Sequence, residues 1–355
     1  MTPRVTVLMT VYNGLPYLRE AIDSVLNQGF RDYEFLIVDD ASTDQSVETI
    51  QSYSDGRIRL LKNPKNIGQN ASLNKGLAEA CGEFIVRLDQ DDVCLPGRIE
   101  RQIAFLSENP QIALVGTWAY SMDERSRKRS IWKWRVDDFG KLVGSLLLGR
   151  CAILHPSAAY RKQSVVGAGG YDGSFGIASD YALWIDLILA GERAAVIPQQ
   201  LIMYRVHRGR QSTTKAHAQW EQMARAHEKF VRTLSGFPDV NVLASILRME
   251  SVVWTGSQTH QQIAVVLESI GYLLNRSASE LRLRPDESRN LRRMVYRWLG
   301  PGVKLGVRVK HLPSLIFYSV VFVFSPLLVP GVRPVLTRVA EFMRFLRVLP
   351  ERSIH

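Results

Sequence analysis

Two short stretches of this chain end apolar runs in clustered carboxylates. Leu36-Ile37-Val38 leads into Asp39-Asp40-Ala41-Ser42-Thr43-Asp44, and Phe84-Ile85-Val86 leads through Arg87-Leu88 into Asp89-Gln90-Asp91-Asp92. Carboxylates this close repel one another unless a cation joins them. Asp89 and Asp91 are two apart, so in extended backbone they point to one side. Mn2+ or Mg2+ prefers oxygen ligands and binds through one or two carboxylates plus substrate phosphates. The pattern therefore points to a divalent ion on Asp89, Asp91 and Asp92, holding an anionic substrate such as a nucleoside diphosphate. A capped turn before the helix opened by Pro96 is the structural alternative, but it needs fewer side chains than are present. Asp39 and Asp40 can accept a hydrogen bond from the N–H of a base such as uracil, with Thr10 as a neighbour, or can cap the helix that follows.

These side chains need a sheet to position them. Apolar segments Val5–Met9, Tyr33–Val38, Arg57–Leu61 and Phe84–Leu88 read as strands. Helical patterns opened by Pro16, near Gln45 and at Ala71 lie between them. That rhythm predicts a Rossmann-like α/β fold, a mostly parallel mixed sheet with helices on both faces. Ligand sites of such sheets lie beyond the carboxyl ends of the strands, where both clusters fall. Downstream, the pattern predicts a helix to about 107 and a strand over Ile112–Trp118. An irregular basic stretch follows over 119–135, then a helix near 139–148 and a strand over Ala152–Tyr160. A glycine-rich loop ends at Ser179-Asp180, where a helix begins, and strands near 193–197 and 201–206 close the lobe. From Lys215 on the pattern is almost wholly helical. The expected divisions are 1–110, 111–212 and 213–355.

Composition narrows the function. The 355 residues are 46% hydrophobic, enough for a substantial core. The first strand runs into Thr10-Val11-Tyr12-Asn13-Gly14, and no Gly-Lys-Ser/Thr loop occurs, which argues against a dinucleotide enzyme and a P-loop NTPase. Cys81, Cys94 and Cys151 form no metal-binding pattern and read as free thiols of a reducing compartment. The chain runs from Met1 straight into a strand, so no secretory signal is expected. The net charge of +11 is concentrated between Arg276 and Lys310. Without an aromatic-basic platform or a zinc pattern, it predicts no nucleic-acid partner. Residues 312–332 carry no charge but are interrupted by Pro313, Pro326 and Pro330, and 335–349 read as an amphipathic helix. Together these predict a cytoplasmic protein peripherally attached to the inner face of the cytoplasmic membrane.

The ordered set of motifs resembles the family 2 glycosyltransferases, inverting enzymes of the GT-A fold. Val5–Asp44, the stretch from Asn66-Ile67-Gly68 through Asp92, and Pro96 resemble their nucleotide-sugar half. His155-Pro156-Ser157 with Arg161, Gly169-Gly170-Tyr171-Asp172, Ser179-Asp180-Tyr181 with Trp184, and Tyr204-Arg205-Val206-His207 resemble their acceptor half. The resemblance covers roughly the first 210 residues. It implies that Asp40 with Thr10 holds the base, and that Val11, Tyr12, Asp39, Gly68, Asn74, Asp89 and Gln90 also serve the nucleotide. By the same resemblance, Asp89, Asp91 and Asp92 hold Mn2+ or Mg2+. His207, with Arg205 nearby, is a candidate for a further metal ligand or a phosphate contact, against a structural role. Asp180 is implied as general base, taking the proton of the attacking sugar hydroxyl. His155, Arg161 and Trp184 are the acceptor-side candidates, against loop-ordering and core roles for His155 and Trp184. Ser179 stands where the family usually has an acidic residue. The Gln-x-x-Arg-Trp motif of processive members is missing, since Met294-Val295-Tyr296-Arg297-Trp298 lacks the Gln. The expectation is a non-processive, metal-dependent transfer from a UDP-sugar to a saccharide acceptor, lipid-linked, in surface polysaccharide assembly. A nucleotidyltransferase would need a basic loop near the first strand, and Thr10–Gly14 has no Lys or Arg. A catalytically silent nucleotide-sugar-binding protein is the other alternative.

Overall fold

The computed structural model describes residues 3–134, 136–238, 240, 244 and 260–306. Strands β1 (Val5–Val11), β2 (Tyr33–Asp39), β3 (Ile58–Lys62) and β4 (Phe84–Arg87) are parallel, in the order β3-β2-β1-β4. β1 and β2 are buried along their whole length, which is why they read as continuous apolar runs. Leu8, Leu36, Val38 and Ile85 pack on one face of the sheet, against a helix Gln69–Glu79. Val7, Met9, Phe35, Ile37 and Val86 pack on the other, against helices Leu18–Leu26 and Arg98–Glu108. β1 lies between β2 and β4, with Val11 opposite Asp39 and Leu8 opposite Arg87. Both acidic clusters therefore emerge at the same edge of the sheet, about 10 Å apart as two strand spacings.

The remaining strands are β5 (Val93–Cys94), β6 (Ile112–Met122), β7 (Lys128–Trp132), β8 (Ala159–Arg161) and β9 (Arg193–Arg205). The sheet continues β4-β8-β6-β9-β5, so both expected halves share one sheet. β8 is antiparallel to β4 and β6, while β9 runs parallel to β6. β5 pairs with β9, pinning the acidic loop 88–92 to the acceptor-side strands.

Three expected elements change. The strands near 193–197 and 201–206 are one strand, β9, because the register slips where Thr117 faces Ile197 and Trp118 faces Gln200. Pro198, which cannot donate to a ladder, falls in that slip. The basic stretch 119–135 holds a β-hairpin, whose strand β7 is exposed and rich in Lys and Arg as suits a sheet edge. The strand expected over Ala152–Tyr160 shortens to β8, because Pro156 sits in a 3-10 turn, His155–Ser157.

Helices Ala216–Ser235, His260–Glu280 and Pro285–Gly306 follow, and their buried apolar residues, among them Phe230, Leu273 and Leu291, join the main core. Pro285–Gly306 lies on helix Phe139–Leu147, where a Cβ on Gly140 would stand 2.0 Å from the Glu287 carbonyl oxygen. Glu287 is fully buried and pairs with Arg193 and Arg284. Among the described residues no helix is long and apolar enough to cross a membrane. The segments 312–332 and 335–349 lie outside the described residues.

Candidate active site

The loop after β4 gathers Asp89, Asp91 and Asp92, whose carboxylate oxygens lie within 4.8 Å of one another. Arg87, fully buried in β4, donates from Nη2 to Asp89 Oδ1 at 2.6 Å and from Nη1 to the Leu8 and Leu88 carbonyls. Burial works against the charge of Asp89, but Arg87 above all outweighs it and holds the carboxyl below its usual range. Asp92 is 0% exposed. Its Oδ1 accepts the Arg205 N–H at 2.7 Å, while Oδ2 has no partner. Burial, with Asp91 and Asp89 repelling, pushes its carboxyl well above the usual range. His207, just after β9, places Nε2 2.9 Å from Asp91 Oδ2. Oxygen donors, one imidazole and an orphaned buried carboxylate oxygen fit Mn2+ or Mg2+.

Asp180 opens the helix Ser179–Leu189. Its Oδ1 accepts the Tyr181 N–H at 2.8 Å. Burial raises its carboxyl to about 6, with the Tyr181 N–H opposing and the Asp89 charge adding, so the two carboxylates sense one another. The loop before it is tied from both sides. Asn70 donates to the Gly176 carbonyl and accepts from Ser179 Oγ, and Gln222 accepts the Ile177 N–H. Ser179 thus holds the loop with a neutral hydrogen bond where an acidic residue was expected. His155 lies near Arg87 and Asp89; burial first and then Arg87 push its imidazole down to about 3, leaving it neutral. Its Nε2 is 2.9 Å from the Tyr171 hydroxyl.

On the nucleotide side, the two strand-end aspartates differ. Asp40 accepts three N–H donors, from Asn63 Nδ2 at 2.8 Å, Ile67 at 2.9 Å and Gly68 at 2.8 Å, and so fixes the turn before helix Gln69–Glu79. Asp39 accepts only the Ser42 N–H, on Oδ2, and its buried Oδ1 has no partner. Asp39, Ser42, Lys62 and Asn63 line an open cleft of about 510 Å³ beyond β2 and β3. Gln90 pairs with both backbone polar groups of Tyr12, joining the end of β1 to the acidic loop. Tyr12 is 46% exposed, Val11 is buried, and the Thr10 hydroxyl lies 3.5 Å from Arg87 Nη2.

Four candidates sit elsewhere or are committed to other partners. Arg161 pairs with Phe84 at the start of β4, the far edge of the sheet, and donates to the Ile112 and Leu106 carbonyls. Trp184 is 2% exposed, with its indole N–H donated to the Ile153 carbonyl, so no sugar reaches its face in this structure. Asn74 spends its amide on both backbone groups of Tyr171, clamping the two halves rather than facing the cleft. Gly68 supplies a positive φ of 88° and a backbone N–H to Asp40. Sequence reasoning passed over Arg87, although a cation inside an apolar run two residues before Asp89 was a visible signal. It also passed over Asn70, for which the sequence carries no comparable signal.

The family model described as Glycosyl transferase family 2 matches residues 6–169. An uncharacterized glycosyltransferase of Methanocaldococcus jannaschii is 33% identical over 208 residues, 58% of this chain and 71% of that protein. The amylovoran biosynthesis glycosyltransferase AmsE of Erwinia amylovora is 26% identical over 204 residues, 56% of this chain and 75% of AmsE. Among solved structures, S. aureus TarS 1–349 in complex with UDP-GlcNAc matches with a TM-score of 0.55 at 17% identity, over 85% of this chain and 88% of that one. At that identity the likeness is one of fold, and it agrees with the GT-A arrangement.

Proposed function

The chain belongs to glycosyl transferase family 2 and is a glycosyltransferase, and from that premise we propose a metal-dependent, inverting transfer from a UDP-sugar to a saccharide hydroxyl. The observation that carries the reading is Asp92. Its buried Oδ2 has no hydrogen-bond partner, and beside two more carboxylates that oxygen is a ligand position suited to a divalent ion. Asp89, Asp91 and Asp92 would hold Mn2+ or Mg2+, with His207 at its rim. The ion supplies neutralisation of the charge that develops on the leaving diphosphate.

The chain's own residues do the rest. Asp39 Oδ1 accepts the N–H of the base in the cleft beyond β2. Asp180 accepts the proton of the acceptor hydroxyl while that oxygen bonds to the anomeric carbon. The bond from that carbon to the diphosphate breaks, the electron pair leaves with UDP, and the anomeric centre inverts. A base titrating near 6 is ionised at neutral pH yet still basic enough to take a proton. UDP-GlcNAc bound to TarS makes that sugar the first donor to try. AmsE's role in amylovoran biosynthesis favours a surface polysaccharide acceptor. The apolar 312–332 run and amphipathic 335–349 stretch favour a lipid-linked acceptor met at an anionic membrane surface. The test is release of UDP from a panel of UDP-sugars, with and without acceptor, in Mn2+ and in EDTA. Equal turnover in EDTA would remove the metal, and no turnover with any sugar of the panel would remove UDP-sugars as donors. Loss of sedimentation with anionic vesicles by a chain ending at residue 306 is the expected sign of membrane attachment.

A further inference from the structure

The carboxylate cluster has a cation of its own in Arg210. Its Nη2 lies 3.8 Å from Asp89 Oδ2 and its Nη1 3.9 Å from Asp92 Oδ1, and its side chain is 11% exposed. The guanidinium lies 3.5 Å from the centroid of the Tyr204 ring, and Nη1 donates to the Arg205 carbonyl. Arg87 makes a useful contrast. It is fully buried, bonded to Asp89 at 2.6 Å and to two carbonyls, and is locked in place. Arg210 reaches the same carboxylates beyond direct hydrogen-bond distance, from a short segment between His207 and the turn of helix Gln211–Thr214. Charge, a ring face and a single hydrogen bond to the Arg205 carbonyl hold it, fewer fixed bonds than hold Arg87.

We propose that Arg210 is an exchangeable counter-ion: it neutralises Asp89 and Asp92 in this arrangement, yields them to a divalent ion, and moves its charge onto the diphosphate arriving with that ion. This rests on the reading of Asp89, Asp91 and Asp92 as metal ligands. A guanidinium and a divalent ion compete for the charge of the same two carboxylates, so an ion binding alone must displace Arg210 without recompense. A diphosphate offers the displaced guanidinium a paired set of anionic oxygens. Arg210 thus opposes the ion alone and favours ion and nucleotide together, and the coupling is reciprocal.

Calorimetric titration of the full chain tests this with Mn2+ alone and with UDP at saturating Mn2+. Arg210→Gln should bind Mn2+ alone on the order of tenfold or more tightly than the wild type, because a unit charge about 4 Å from the ligands is gone. The same variant should bind UDP in Mn2+ on the order of tenfold more weakly. Arg210→Lys, which keeps the charge, should stay near the wild type for Mn2+ alone. Arg208→Gln removes an equal charge from an exposed side chain and should change neither value. If Arg210→Gln melts as a misfolded protein, Arg210→Met keeps a stem against Tyr204 and is read the same way. Mn2+ affinity that is unchanged or weaker in the neutral variants overturns the exchange while leaving the metal site standing. Absence of Mn2+ binding in every form, with and without UDP, sinks the metal reading and the exchange with it.

Discussion

Replacing Asp180 by Asn should slow transfer by orders of magnitude and stabilise the fold, and the two effects have one cause. The Asn side chain keeps the shape and can still accept the Tyr181 N–H that Asp180 accepts at 2.8 Å. What it loses is a charge that burial disfavours, with the Asp89 charge adding and the Tyr181 N–H opposing, so that the carboxyl titrates near 6 instead of 3.8. A shift of roughly two units corresponds to about 3 kcal/mol. The partial exposure of the side chain reduces that to about 1–2 kcal/mol. Because the folded-state value is raised, the fold favours the protonated acid. Its contribution is complete below the ordinary value of 3.8 and is lost as pH rises through about 6. Asn imitates the protonated form at every pH. The variant should therefore be more stable than the wild type at pH 8, by about 3–6 °C in Tm at roughly 3 °C per kcal/mol, and the gap should close toward pH 4. Transfer should fall by about 10²–10⁴ while UDP affinity in Mn2+ stays within about threefold. In the wild type, kcat/KM should rise with pH through a limb near 6, which the variant lacks. Paired thermal melts at pH 8 and pH 5, with UDP-release kinetics, check each part. A variant that turns over like the wild type, or melts below it at pH 8, refutes the placement of a buried, charge-burdened base at 180.

Four further outcomes follow from the geometry. Asp40→Ala strands three donors and should cost about 3 kcal/mol or more, seen as a lowered Tm; Asp39→Asn should leave Tm nearly unchanged and weaken UDP binding in calorimetry, since its Oδ1 has no partner within the fold. Arg161→Ala should leave kcat/KM within about threefold of wild type, because the side chain sits at the opposite edge of the sheet from Asp89; a large loss of transfer with an unchanged Tm would return Arg161 to the acceptor site. Gly140→Ala places a methyl group 2.0 Å from the Glu287 carbonyl oxygen and should release helix Pro285–Gly306 from the core, seen as faster proteolysis within 281–306 and a lower melting point.

What the sequence could disclose follows from how each side chain is positioned. Asp39, Asp89 and Asp91 sit at or just beyond the ends of parallel strands, where apolar run and carboxylate are contiguous, so their meeting at one edge could be inferred before any pairing was known. Asp40 looked the same in sequence, yet its task is set by Asn63, Ile67 and Gly68, which only folding returns to it. Arg161 shows the limit of motif neighbourhood: β8 runs antiparallel to β4, so a few residues after His155 carry it to the far edge. Trp184 belongs to a helix with eight of its residues buried, where the apolar pattern marks no exposed face for a sugar. Arg87 was legible in principle, since a cation in a wholly buried strand needs a partner and Asp89 is the nearest on its side. Arg210 was not, for a basic residue in His207-Arg208-Gly209-Arg210 differs in no way from surface charge until β9 pairs with β5 and brings it to Asp89 and Asp92. The donor half of the site is thus written in contiguous sequence. The half that neutralises it depends on strand pairing across more than a hundred residues, which no local pattern specifies.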